Sequence, residues 1–368
     1  MEKYNILVKT AEAEIRALEN VSSEHIAQIF PIIELTRGRK TTKNNFATYP
    51  FEKRLEKLKN IFKNRDVCID VTSDPQLASP ETMALFNPKN GYENWIKFLM
   101  RLKEEGVFSS ITPTILWNFE DNEDDFENNI KTQITALTNE FGMVAYRNSI
   151  EEDSDFYDDL ETFLSDTPLL FILDCEYVPR ASFHNVAERS IVRFNHLNKI
   201  LTNRQNKYIL ISTSFPKNVT EFGDYEREIL TLSELDLFTT VKAKHPYILY
   251  GDYGSINPTR NDTITMTKGW VPRIDVSLQT EVLYHRQRRP KGVTAYADTY
   301  VQVAKSCLAD EKYPQNINDS WGLKQIELCA AGSVPSSSPS FWISVRITYS
   351  FFMIEENKHM LTIFQLSQ

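Results

Sequence analysis

Short apolar runs, each closed at its C-terminal end by polar or charged residues, recur eight times in the first 257 positions. They are Asn5–Lys9, Ile29–Leu35, Val67–Val71, Ile111–Trp117, Met143–Arg147, Leu169–Glu176, Tyr208–Ser212 and a run from Tyr247 that breaks at Gly251-Asp-Tyr-Gly254. Between them the apolar positions change to helical spacing. Examples are Ile15 and Leu18; Leu55, Leu58, Ile61 and Phe62; Trp95, Phe98, Leu99 and Leu102; and Ile130, Ile134 and Leu137. Leu160, Phe163 and Leu164, then Ser182–Leu201, then Ile229, Leu232 and Leu235 complete the set. Acidic runs, Glu120–Glu127 and Glu151–Asp159, precede two of these helices and suit the positive end of a helix dipole.

Near-continuous apolar strands alternating with helices are what a parallel sheet buried on both faces requires. Eight such units predict an α/β fold, a (β/α)8 barrel of the TIM type. An open doubly wound sheet of the same units is the alternative. No G-x-G-x-x-G follows the first strand, which weakens a dinucleotide-binding reading.

After Asn257 the regularity stops. Gly269–Ser277 and Glu281–Arg286 predict a two-stranded extension, followed by helices at about 295–309 and after Ser320, a candidate N-cap. Phe341–Phe364 is apolar and aromatic enough to dock rather than hang free. The expected organisation is a barrel core over 1–257, then a hairpin insertion, a closing helix and a C-terminal helical extension over 258–368, packed on the barrel.

The chain has 368 residues, a formal net charge of -9 and 41% hydrophobic residues. That balance argues against the whole surface being a nucleic-acid platform. Cys68, Cys175, Cys307 and Cys329 form no CxxC pair, so a sequence-local zinc knuckle is not expected. Cys68 and Cys175 sit in apolar runs, where a thiol behaves as a small hydrophobe. With no signal-peptide core and no apolar run of about 18 residues, a cytoplasmic protein without a membrane partner is expected.

Three features occur together: Ile6-Leu-Val-Lys9 followed by Glu14 and Leu18; Pro31-Ile-Ile-Glu-Leu35; and Gly251-Asp-Tyr-Gly-Ser255 followed by Pro272-Arg273. With Ser320-Trp-Gly322, they resemble the phage and bacterial beta protein family, the one named for a T4-type phage protein. The resemblance spans nearly the whole chain. It implies a setting in phage–bacterium conflict, as a defence or counter-defence component with a protein partner from such a system. It brings no settled activity. The family pattern also carries adjacent histidines after a Trp near the C-terminus. Here Trp342 is followed by no histidine as far as Phe351, so any role of those histidines is not carried over.

If the strands close a barrel, their C-terminal ends converge on the face that carries the site in barrel enzymes. The ligand-binding candidates there are Lys9, Glu34, Arg147, Ser214 and Tyr253, expected to recognise a phosphorylated or nucleotide-like ligand. Asp70, Asp174, Glu176 and Asp252 are the catalytic candidates for a Mg²⁺-dependent phosphoesterase or nuclease-like hydrolase. Asp174 and Glu176, two apart on a strand, are candidate metal ligands. The same charges suit a self-neutralising ion-pair network in an inert barrel that serves as a protein-interaction scaffold. Lys9 and Glu34 are expected to pair across adjacent strands. The run His285–Lys291 contains Arg286, Arg288 and Arg289, candidate phosphate-backbone contacts of a nucleic acid. No His-x-His ends a strand, and neither G-x-S-x-G nor a P-loop is present.

Overall fold

A computed structural model describes residues 3–43, 46–118, 123–152, 154, 156–164, 167–259, 269–278, 280–314 and 320–351. Glu120 to Asn122 of the first acidic run, Asp153 and Asp155 of the second, and the part of the Phe341–Phe364 stretch after Phe351 lie outside the described residues.

Eight parallel strands form one sheet. They are β1 (Tyr4–Lys9), β2 (Ile29–Leu35), β3 (Asp66–Val71), β4 (Ser110–Pro113), β5 (Val144–Ser149), β6 (Leu169–Tyr177), β7 (Lys207–Thr213) and β8 (Leu249–Asp252). Their order is β4-β3-β2-β1-β8-β7-β6-β5. A parallel bridge between Thr114 and Ala145 joins the two ends, and the Ile115 N–H donates to the Ala145 carbonyl at 2.8 Å. The sheet therefore closes, and the fold is the expected α/β barrel. Every second residue of each strand points inward. Leu7, Ile32, Cys68, Ala145, Ile172 and Ile211 fill the interior as one apolar cluster.

Gly251 belongs to that interior by position. A Cβ there would stand 2.8 Å from Ile211 Cγ1 and 3.0 Å from Ile209 Cγ2, so β8 can lie against β7 only with a glycine. All four cysteines are free and buried. Among the described residues no helix is long and apolar enough to cross a membrane.

The chain divides into two compact units. One gathers the first strand with Ala27–Ser212 and Asp236–Tyr253, and contains the barrel. The other gathers Glu12–Ile26, Thr213–Leu235 and the described residues from Gly254 onward. In this second unit β9 (Arg273–Ser277) and β10 (Glu281–Arg286) form the expected antiparallel hairpin. A third strand, Arg227–Thr231, pairs with β10. The helical reading of Ile229 is thus corrected: cross-strand pairing with Leu283 holds it extended, and the helix begins only at Glu234. Helices Ala297–Leu308 and Trp321–Ala330, with helical residues 339–351, cover the hairpin through Tyr300, Val303, Leu323, Trp342 and Val345. The Ser320 hydroxyl caps the second of these helices by accepting from the Leu323 N–H.

Candidate functional site

Strand alternation places a charged residue two positions beyond five of the apolar interior residues. Leu7 leads to Lys9, Ile32 to Glu34, Cys68 to Asp70, Ala145 to Arg147 and Ile172 to Asp174. Register aligns Lys9 with Glu34, and Glu34 with Asp70. These five side chains meet at the C-terminal ends of the strands, with Arg147 central. Its Nη1 donates to Asp70 at 2.8 Å, its Nε and Nη2 reach Asp174 at 2.8 Å, and Nη1 lies 3.5 Å from Glu34. Lys9 Nζ stands 3.9 Å from Glu34 and 5.7 Å from the centre of the Tyr253 ring. The Tyr253 hydroxyl donates to Asp174 at 2.6 Å, and the Thr114 hydroxyl donates to Asp70 at 2.8 Å.

Burial and charge pull these groups in opposite directions. Burial alone would raise the Glu34 carboxyl, but Lys9 and Arg147, with a bond from Thr72, bring it below its ordinary value. Asp70 goes the other way. Burial raises it and Glu34 adds to the rise, and Arg147 and Thr114 do not reverse it. Burial would lower Arg147, yet Asp174, Glu34, Tyr253 and Asp70 hold it well above the ordinary guanidinium value. Burial first and Asp174 second raise the Tyr253 phenol, so it stays protonated and serves as a donor.

The other candidates lie elsewhere. Asp252 follows an inward glycine and so points to the outer side of β8. There it accepts from the Tyr4 hydroxyl and, at 2.7 Å, from the Tyr250 hydroxyl. The structure does not bring it to the Arg147 cluster. Glu176 departs from strand alternation because its φ is +52°. Its N–H donates to Asp174 at 2.9 Å, while its carboxylate accepts from the Ser149 hydroxyl at 2.7 Å. Burial raises its carboxyl above the ordinary value. Ser214 belongs to the second unit, where its hydroxyl bonds to the Glu234 carboxylate and accepts from the Ser233 N–H at 2.8 Å. Arg286 is buried and reaches Asp224 at 2.7 Å, and Arg288 reaches the same carboxylate at 2.5 Å. Arg289 lies 3.9 Å over the Tyr296 ring, which also stacks on Trp270. The basic run is thus largely engaged within its own unit.

The residues present do not fit a divalent metal. Asp174 is committed to Arg147 and Tyr253, and Glu176 to Ser149. No group of three potential ligands occurs among the described residues.

Sequence reasoning missed Thr72 and Thr114 as members of the site. Strand alternation was the available signal for Thr114, because Thr112 and Thr114 continue the inward side of β4. It also missed a buried pair in the second unit. There Arg346 Nη1 meets Asp275 at 2.5 Å, and its guanidinium lies 3.8 Å over Phe215. Nothing local in the sequence links these positions.

The chain belongs to the Beta protein family, whose profile matches residues 4–349. It is similar to "Protein beta" of Enterobacteria phage P4, with 27% identity over 350 residues, covering 94% of this chain and 90% of the relative. That relative comes from phage P4, where the resemblance pointed to a T4-type phage. No solved structure matches the chain.

Proposed function

We propose that this Beta protein family member acts in the cytoplasm in phage–bacterium conflict, as a defence or counter-defence component. Its barrel mouth would recognise a phosphorylated or nucleotide-like ligand. The phage P4 relative supports the setting. One observation carries the ligand class: the cations are the most exposed members of the charged cluster. Side-chain exposure is 19% for Arg147 and 13% for Lys9, against 7% for Asp70, 4% for Glu34 and 2% for Asp174. Carboxylates beneath hold the two cations in place, and the side open to ligand carries donors and positive charge. A Mg²⁺-dependent hydrolysis is not favoured, because the acidic groups it needs are committed to Arg147, Tyr253 and Ser149.

The test is calorimetric titration with a panel of nucleoside mono-, di- and triphosphates. At least one should bind saturably, and Lys9→Gln should weaken it tenfold or more without loss of the folded state. Asp252→Asn should leave that binding unchanged. A panel without a binder sinks the ligand reading. The near-complete burial of the three carboxylates favours a second reading, a scaffold whose mouth charges only hold the barrel together. Under it, Lys9→Gln keeps full biological activity in a phage-challenge assay.

A further inference from the structure

A groove of about 440 Å³ lies along the outer side of the helix Phe183–Ile200. None of the barrel-mouth residues lines it. Its size falls in the range of small-ligand sites. Three basic side chains line it, Arg189, Arg193 and His196, against one acid, Glu188, on a chain whose net charge is -9. Two of the three are balanced: Arg189 pairs with Glu151 at 3.0 Å, and His196 with Asp158 at 3.1 Å.

Arg193 has no carboxylate partner among the described residues. It is only 8% exposed. Its Nη2 donates to the Glu152 carbonyl and its guanidinium lies 5.5 Å over the Tyr157 ring. Its Nη1 is buried without a hydrogen-bond partner, and no carboxylate pairs with it among the described residues. Leaving a charged donor buried and unsatisfied is costly. Arg193 is one of the residues that line the groove. Asn185 and Ser154 add donors to the lining, and Val192, 66% exposed, adds an apolar wall. Many donors around a cation with no carboxylate partner among the described residues suit an anion with several acceptor oxygens better than a two-oxygen carboxylate.

We infer that this groove is a binding site for a phosphate group, carried as free phosphate or as a small phosphomonoester, with Arg193 as its principal contact. The site is separate from the barrel mouth and does not depend on the reading given to it.

The experiment uses the full chain, with inorganic phosphate and phenyl phosphate as probes at constant ionic strength set with NaCl. Calorimetry and thermal shift are read together, because a ligand of the folded state raises the midpoint saturably. Wild type should bind at least one probe saturably. Tighter binding of phenyl phosphate identifies an ester as the source, and equal binding identifies free phosphate. Val192→Glu puts a carboxylate on the exposed wall of the groove. It should weaken binding tenfold or more while keeping or raising the melting temperature. Arg193→Gln should also abolish binding, and Lys9→Gln should leave it intact. The inference is overturned if wild type shows no saturable binding beyond the NaCl control. It is equally overturned if Val192→Glu binds as wild type does, or if Lys9→Gln alone removes binding, which would place the anion at the mouth.

Discussion

Two arginines, half-buried Arg147 and buried Arg346, one in each compact unit, face opposite electrostatic conditions. Arg147 is surrounded by Asp70, Asp174 and Glu34, and its guanidinium value is raised although burial opposes this. Arg346 has Asp275, which it shares with Arg273 at 2.9 Å. Burial dominates there and pushes Arg346 down to about 10; Asp275 returns part of that loss, and Arg273 works against it. The number of carboxylates within reach and the depth of burial together decide which effect wins: the Arg147 side chain is 19% exposed and that of Arg346 3%. At the barrel mouth acids outnumber cations, so the fold tolerates cations near solvent. At the Arg346 pair cations outnumber the acid, and the stacking on Phe215 supplies part of the missing stabilisation.

The strongest way to break the comparison is Arg147→Met. It leaves three buried carboxylates facing one another, with Lys9 as the remaining cation of the cluster among the described residues. Removing one partner of a buried pair costs about 3–5 kcal/mol, and this change should reach or exceed the upper end. The loss should shrink on acidification, as the stranded carboxylates take up protons. Urea unfolding at pH 7 and pH 5 checks both points. An equal cost at the two pH values would mean that the cluster is not held by charge.

Asp275→Asn should come next, at about 3 kcal/mol, because it removes the only carboxylate that Arg346 bonds to among the described residues. Its cost should not ease on acidification, since no acid is stranded. A penalty that falls between pH 7 and pH 5 would erase the contrast between the two arginines.

The barrel and the positions of Lys9, Glu34, Asp70, Arg147 and Asp174 were legible because strand alternation is local and repeats eight times. Asp252 was misplaced because the strand-end rule was applied without counting parity from Gly251. Glu176 was misplaced because its left-handed backbone ends the alternation, and nothing in Asp-Cys-Glu announces that turn. The Arg346–Asp275 pair was invisible because 70 positions of unrelated sequence separate a hairpin strand from a C-terminal helix. The exposed look of the Arg286–Lys291 run hid the burial of Arg286, whose partner Asp224 is far off in sequence. Pattern reaches what one element dictates. It does not reach what two distant elements share.

Lys9→Met tests a milder part of the mouth. Lys9 and Glu34 are 3.9 Å apart, and Glu34 keeps Arg147 and Thr72 as partners. The cost should be about 1–2 kcal/mol, between an exposed and a deeply buried pair. Thermal unfolding measures it. A loss above about 4 kcal/mol would make Lys9 as central to the fold as Arg147.

The smallest effect separates two neighbouring acids by sign. Glu34 lies below its ordinary 4.5 in the folded protein, so its stabilisation is complete above that value and is lost as pH falls through the folded one. Asp70 lies above its ordinary 3.8, so its contribution is fully present below 3.8 and is lost as pH rises through the folded value. Asp70→Asn removes a group that is costly to ionise and can still accept from Thr114. At neutral pH it should cost only about 0–1 kcal/mol, because the desolvated charge it removes offsets the bond to Arg147 that it weakens. Relative to wild type, its cost should be greatest at acid pH and should decline as pH rises past the folded value of Asp70. Glu34→Gln should show the reverse trend, with a cost that grows as pH rises from 4 to 7. Denaturation curves of both variants across that range decide the matter. Parallel trends would show that the two carboxylates, aligned on adjacent strands, titrate as one unit rather than as an anion beside a proton carrier.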